Sequence, residues 1–286
     1  MAPAAPKLVK PLDIDKVLGK ARNQVFRVGI ELEGGWNSLP EGTNDIIRDG
    51  SVEVSPPDNG EFQKRYRAWE IKYRDAQREG RIFSQPPPVS TFRVGELPSP
   101  PMEVEKVEPW MNKFYPHAVN ATCGLHVHMS FKTALQYQRL MTPAYPATVV
   151  EYFQSWAKQE GLPTTHPLWQ RLSGKNQYCR HEFHAQEQVV SKKDHNMTRP
   201  GHRYTVINYC YSVYGGTLEC RLLPMMDTPA QGIRAVMQVI NITNAFLAVY
   251  REREERARAK VEAGDPVRQH KQEVLYPERR QNIEIY

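Results

Sequence analysis

The chain has 286 residues, of which 40% are apolar and 24% charged, with a formal net charge of +6. That balance is typical of a soluble protein able to bury a substantial core, as one large domain or two smaller ones, and no uninterrupted apolar run reaches the roughly 18 residues that would span a bilayer. Lys and Arg are dispersed, and their densest run, REREERARAK at 251–260, mixes signs as a solvated helix face does, which argues against a nucleic-acid partner and leaves a polyanionic substrate open.

Residues 1–24 read as a Pro-rich leader followed by a short helix over DIDKVLGKAR, with no apolar segment of the kind that directs secretion, so the expected location is cytoplasmic. The glycosylation sequons at Asn120, Asn196 and Asn241 are then expected to be silent. Cys123, Cys179, Cys210 and Cys220 form no CxxC pair and are expected as reduced thiols. FRVGIELEGG follows as a strand, with Phe26, Val28, Ile30 and Leu32 on one face and Gly29, Glu31 and Glu33 on the other. EFQKRYRAWEIKYRDAQREGR spaces Phe62, Tyr66, Trp69, Tyr73 and Ala76 as a peripheral amphipathic helix, and SQPPPVS closes this insertion at about 57–90.

FRVGELPSPPMEV returns to extended structure, EPWMNKF to helix, and CGLHVHMS to a strand that alternates Leu125, Val127 and Met129 with Gly124, His126 and His128. A helix over PATVVEYFQSWAKQEG places Val149, Phe153 and Trp156 in one stripe. HRYTVINYCYSV and GGTLECRLLP read as a strand pair turning at Gly215 and Gly216, and the second alternates Leu218, Cys220 and Leu222 with Thr217, Glu219 and Arg221. The last long helix starts with Thr228 as N-cap, Pro229 in the first turn and Gln231 completing a capping box, and repeats Ile233, Val236, Met237, Ile240, Leu247 and Tyr250. Residues 251–286 are expected as a charged helical extension. Strands, peripheral helices, further strands and a covering helix make an α+β fold with a mainly antiparallel sheet.

If the three alternating strands share one sheet, its polar face gathers Glu31, Glu33, His126, Glu219 and Arg221. Carboxylates dominate and no cysteine contributes, so Mg²⁺ or Mn²⁺ suits this set better than zinc. Magnesium among glutamates points to phosphate chemistry, with Arg221 placed to neutralise charge on a transferred group. No GxxxxGK(S/T) loop is present to hold a nucleotide.

The succession GIELE (29–33), DGS (49–51), GELPSPP (95–101), CGLHVHMS (123–130), RYTVIN (203–208) and TLECR (217–221) resembles the amidoligase family, carboxylate-amine ligases related to glutamine synthetase and glutamate-cysteine ligase, over about residues 25–250. The resemblance implies a curved, glutamine-synthetase-like antiparallel sheet with helices behind it and ATP and divalent metals on its concave face. By that resemblance Glu31, Glu33, Glu96, His126 and Glu219 are metal ligands, and Arg221, Glu219 and His128 are catalytic positions. Arg221, Arg180, Arg203 and Asn208 are nucleotide or anion contacts. Either Glu53, in DGSVEVSPP, or Glu96 fills the family's acidic position before SPP, and the glycine ahead of Glu96 favours Glu96.

The implied reaction is ATP-dependent formation of an amide or isopeptide bond from small-molecule or peptide carboxylate and amine substrates, releasing ADP and phosphate. A metal-dependent hydrolase built on the HxH pair is the second reading, although Ser130 stands where such zinc enzymes carry an Asp and residues 131–134 offer no Glu. A non-catalytic polyanion-binding protein on the same fold is the third.

Overall fold

The computed structural model describes residues 9–38, 40–43, 45–55, 60–87, 91–183, 204–209 and 217–262, without the side chains of 60–63 and 260–262. The expected turn at Gly215 and Gly216, and Arg203 and Cys210, lie outside these residues. The described chain is α+β. Strands β1 (Val25–Trp36), β2 (Arg93–Pro98), β3 (Gly124–Phe131), β4 (Ile207–Asn208) and β5 (Thr217–Pro224) form one antiparallel sheet in the order β2-β1-β3-β5-β4. Helices α1 (Gly60–Arg78), α2 (Val107–Phe114), α3 (Ala134–Leu140), α4 (Ala144–Gln159), α5 (Pro167–Leu172) and α6 (Pro229–Glu262) complete it.

Strand alternation divides the sheet into two unlike faces. Val28, Ile30 and Leu32 of β1, Leu125, Val127 and Met129 of β3, and Leu218, Cys220 and Leu222 of β5 are all fully buried and share one core with Val149 and Phe153 of α4 and Val236 and Ile240 of α6. Thr243 of α6 ties the three layers together, its hydroxyl lying 2.7 Å from that of Tyr145 on α4 and 3.5 Å from the Met129 sulfur of β3. Because the helices consume the apolar face, the acids and imidazoles are confined to the other.

Two sequence expectations change in detail. DIDKVLGKAR forms successive turns rather than a helix, closed by bonds such as Leu18 N–H to the Ile14 carbonyl, and Gly19 (φ 72°) ends them in a left-handed conformation that continues no helix. Phe26 is exposed and Val25 is buried instead, because a register irregularity between Val25 and Arg27 turns the ring outward. Residues 251–262, expected as the start of a charged helical extension, are helical and continue α6 without a break. Thr228 does cap α6, accepting from the Gln231 N–H at 3.2 Å. Among the described residues α6 is the one helix long and apolar enough to cross a membrane, but 61% of that stretch is buried within the protein, as in a core helix covering a sheet.

The sheet edge at β2 brings a distant loop to the polar face. Ile47 exchanges both backbone hydrogen bonds with Glu96, each at 2.8 Å, so the 45–49 segment lies against β2 and delivers Asp49. This contact requires a glycine next to Glu96. Gly95 has φ +155°, and a Cβ there would stand 2.1 Å from the Ile47 carbonyl oxygen, far inside van der Waals contact. Gly95→Ala is therefore expected to push the 45–49 segment off β2 and to lower stability by about 1–3 kcal/mol, read from urea denaturation. The hydrogen-exchange protection of the Ile47 amide should fall further than that of the β3 amides.

Candidate metal centre

Cross-strand register assembles the polar residues. Glu31 of β1 pairs with His126 of β3, Glu33 of β1 with Glu96 of β2, and His128 of β3 with Glu219 of β5, so an acid faces an imidazole across two strand boundaries and another acid across the third. β5 carries an additional residue opposite His126: Leu125 pairs with Leu223 and Val127 with Cys220, leaving Arg221 and Leu222 across from one residue of β3. Such a bulge re-aims a side chain. Arg221 turns back along its own strand, where its Nη1 donates to Glu219 Oε1 at 2.6 Å.

His126 is the hub, only 2% exposed. Its Nδ1 lies 3.1 Å from Glu31 Oε2 and 3.3 Å from Glu219 Oε1, and its Nε2 lies 3.6 Å from Glu33 Oε1. His128 Nε2 reaches the other oxygen of Glu31 at 2.8 Å, so the HxH pair clasps a single carboxylate. Glu219, fully buried, also accepts from Asn208 Nδ2 at 2.7 Å, while Glu33 accepts from the Gly124 N–H. Gly124 is glycine for a local reason, since a Cβ there would lie 2.5 Å from His126 Nε2 and 3.0 Å from Glu33 Oε2.

Potential ligand atoms converge in two groups, Glu31, His128 and Glu219 in one and Glu33, Asp49 and Glu96 in the other, with one atom from each member within 4.8 Å of the rest. The two groups contain five carboxylates, and gathering so much negative charge in a poorly solvated place costs free energy unless cations offset it. Glu96 registers that cost. Burial, followed by the charges of Glu31, Glu33, Asp49 and Glu219, pushes its carboxyl up to about 8. Glu31 departs the other way: burial alone would raise it, but hydrogen bonds from His126 and His128, with their charges, hold it well below the ordinary carboxylate range. His128 is raised although burial works against its charge, because Glu31 bonds to it and Glu219 and Glu31 attract it, outweighing the repulsion from Arg221.

The donor set fits a pair of hard divalent cations. Carboxylate oxygens with an imidazole and no thiolate suit Mg²⁺ or Mn²⁺, whereas zinc sites favour nitrogen and sulfur. Cys123, Cys179 and Cys220 are free, buried thiols outside both groups.

The expected residues Glu31, Glu33, Glu96, His126, His128, Glu219, Arg221 and Asn208 thus meet on one face, but the imidazole in a ligand group is that of His128, whereas His126, expected as the metal ligand, lies outside both groups against Glu31, Glu33 and Glu219. Of the two acids ahead of Ser-Pro-Pro, Glu96 is in a ligand group, whereas Glu53 is exposed and its backbone is tied to Thr122 and Asn120. Arg180 aligns its backbone with Thr205 and pairs its side chain with Glu182 at 3.4 Å. Two contributors were absent from the sequence assignment. Asp49 was visible as part of DGS but had no role until the Ile47–Glu96 contact brought it in. Arg171 lies between Leu168 and Leu172 on the buried face of α5, and an arginine at core spacing was the available signal.

No family model, no curated protein and no solved structure matches this chain.

These shifts give the metal-free protein a definite pH response. Glu96 is raised from 4.5 to about 8, so the stability linked to its protonated form is fully present below pH 4.5 and lost as the pH climbs through 8, and His128, raised from 6.5, acts in the same sense. Glu31, lowered from 4.5, loses its contribution only as the pH falls below that value. The melting temperature without metal is expected to decline between pH 4.5 and 8, and the increment from added Mn²⁺ to grow over the same window. In Glu96→Gln both trends should flatten, as read by scanning calorimetry.

Proposed function

We propose that the protein is an ATP-dependent carboxylate-amine ligase, resembling the amidoligases, that forms an amide or isopeptide bond between small-molecule or peptide substrates and releases ADP and phosphate. The observation that carries the reading is the union, on one buried sheet face, of two carboxylate-rich ligand groups with the cation Arg221, because phosphoryl transfer needs positive charge held around the phosphates. A sheet with helices on its apolar face and acids on the other is also what a glutamine-synthetase-like fold would supply, and buried free thiols accord with a cytoplasmic setting.

On this reading Glu31, His128 and Glu219 hold one Mg²⁺ or Mn²⁺, and Glu33, Asp49 and Glu96 hold the other. The metals, when bound, neutralise the phosphates of ATP and the charge that develops on the transferred group. The chain's own residues do the rest. His126 fixes Glu31 through Oε2, Asn208 orients Glu219 from within the sheet, and Arg221, whose side chain is 13% exposed, offers a guanidinium to an anionic substrate or phosphoryl oxygen. The substrate carboxylate attacks the terminal phosphorus of ATP and ADP leaves; a neutral amine then attacks the acyl carbon, phosphate leaves, and the proton shed by the nitrogen passes to a carboxylate or histidine of the site.

A metal-dependent hydrolase draws less support. Its HxH pair should turn toward a shared metal, whereas His126 and His128 both close on Glu31, and the surrounding donors are oxygens.

The test is nucleotide turnover with Mg²⁺ and ATP, with and without a small-molecule cell extract. Extract-dependent ADP and phosphate are expected, and Glu219→Gln, which removes a buried ligand charge, should reduce the rate by at least about 100-fold. AMP and pyrophosphate as products would replace the acyl phosphate with an adenylate. Absence of ATP binding combined with tight zinc binding would overturn the ligase reading in favour of the hydrolase.

A further inference from the structure

Arg171 is a buried charge that the proposed reaction leaves unused. It is 3% exposed and flanked by the core residues Leu168 and Leu172 on α5, the helix that His166 caps by accepting from the Leu168 N–H. Burying a guanidinium is costly unless specific acceptors take up its donors, and here both terminal nitrogens find one while Nε meets none among the described residues. Its Nη1 donates to the Arg221 carbonyl at 2.9 Å and its Nη2 reaches the Cys123 carbonyl at 3.5 Å. Arg221 lies in the β5 bulge, and Cys123 immediately precedes β3.

The Cys123 carbonyl and the Gly124 N–H are the two ends of one peptide group. The carbonyl end accepts from Arg171 and also from the Met225 N–H at 3.0 Å, and the N–H end donates to Glu33 Oε2. A cation at the oxygen and a carboxylate at the hydrogen polarise the same amide in the same sense, so each strengthens the other's bond. Glu33 in turn belongs to the ligand group with Asp49 and Glu96.

The geometry points to Arg171 as a positioning residue for that ligand group, which sets the orientation of Glu33 through the Cys123–Gly124 peptide while its second arm fixes the β5 bulge that carries Arg221. This inference rests on the divalent-cation reading of the site and is independent of which reaction the site performs. It identifies an outer-shell partner that touches neither metal nor substrate.

Arg171→Lys is the informative variant, because lysine keeps the positive charge but lacks the fork that engages two carbonyls. Mn²⁺ binding is followed by calorimetry and electron paramagnetic resonance, on the unmodified protein and on Arg171→Lys, Glu33→Gln and the double variant. The unmodified protein is expected to take up two Mn²⁺ ions, and Arg171→Lys to weaken one of them by about 10- to 100-fold. Adding Arg171→Lys to Glu33→Gln should cost little more, since the path through Glu33 is already broken. Wild-type affinity for both ions in Arg171→Lys, or an undiminished loss in the Glu33→Gln background, would overturn the inference. A readout that does not depend on the folding of any variant is the Gly124 amide of the unmodified protein. Its proton resonance should move on Mg²⁺ addition, and a stationary resonance would also overturn it. Failure of the unmodified protein to bind Mn²⁺ would remove the cation reading and this inference together, whereas Mn²⁺ binding without ATP turnover would remove only the ligase.

Discussion

Mutual repulsion among the five carboxylates on the polar face is the constraint around which the rest of the molecule is arranged. An antiparallel sheet puts every second side chain on the same side, so strands that carry ExE, HxH and ExR deliver their polar residues together whether or not those residues attract one another. The folded chain accommodates the result with local partners: two imidazoles for Glu31, an amide and a guanidinium for Glu219, and a backbone N–H for Glu33. Glu96 lies opposite Glu33 and close to Asp49, and its burial, followed by the repulsion of these acids, raises its proton affinity. The apolar face bears the compensating burden, since its close packing against α4 and α6 holds the strands in register against that repulsion.

Much of this was legible in the sequence because the period of a strand is two and the period of a helix is close to four. Alternation in GIELE, GLHVHMS and TLECR separated the ligand face from the core face without reference to any structure, and the stripe through Val236 and Ile240 marked the helix that covers the core. The parts that escaped depend on contacts between segments distant in sequence. Asp49 enters through an isolated bridge from a loop, which leaves no periodic trace. Arg171 is a core residue by position and a charged residue by type, and only the two carbonyls it meets explain the combination. Phe26 was misassigned to the core because a bulge shifts the alternation by one residue, an event that a binary pattern does not encode.

The two glycines that matter most also show different kinds of necessity. Gly124 makes room for side chains, allowing His126 and Glu33 to approach the start of β3. Gly95 makes room for a backbone, allowing the 45–49 segment to pair at the edge of the sheet. The first shapes the ligand set directly, and the second determines whether Asp49 belongs to it at all.

Helix α1 stands apart from these arrangements. Its Trp69 and Tyr73 stack on each other at 5.1 Å, Phe83 meets both edge-on at 6.1 Å, and the Trp69 indole donates to the Gln85 carbonyl, while no described side chain of α1 joins the main core. The insertion therefore carries its own aromatic lock, and its energetic account is nearly closed on itself. Lengthening or shortening a connection of this kind changes its closure entropy by only about 0.6 kcal/mol per doubling. The segment can therefore change in length or sequence with little effect on the register of the sheet that it interrupts.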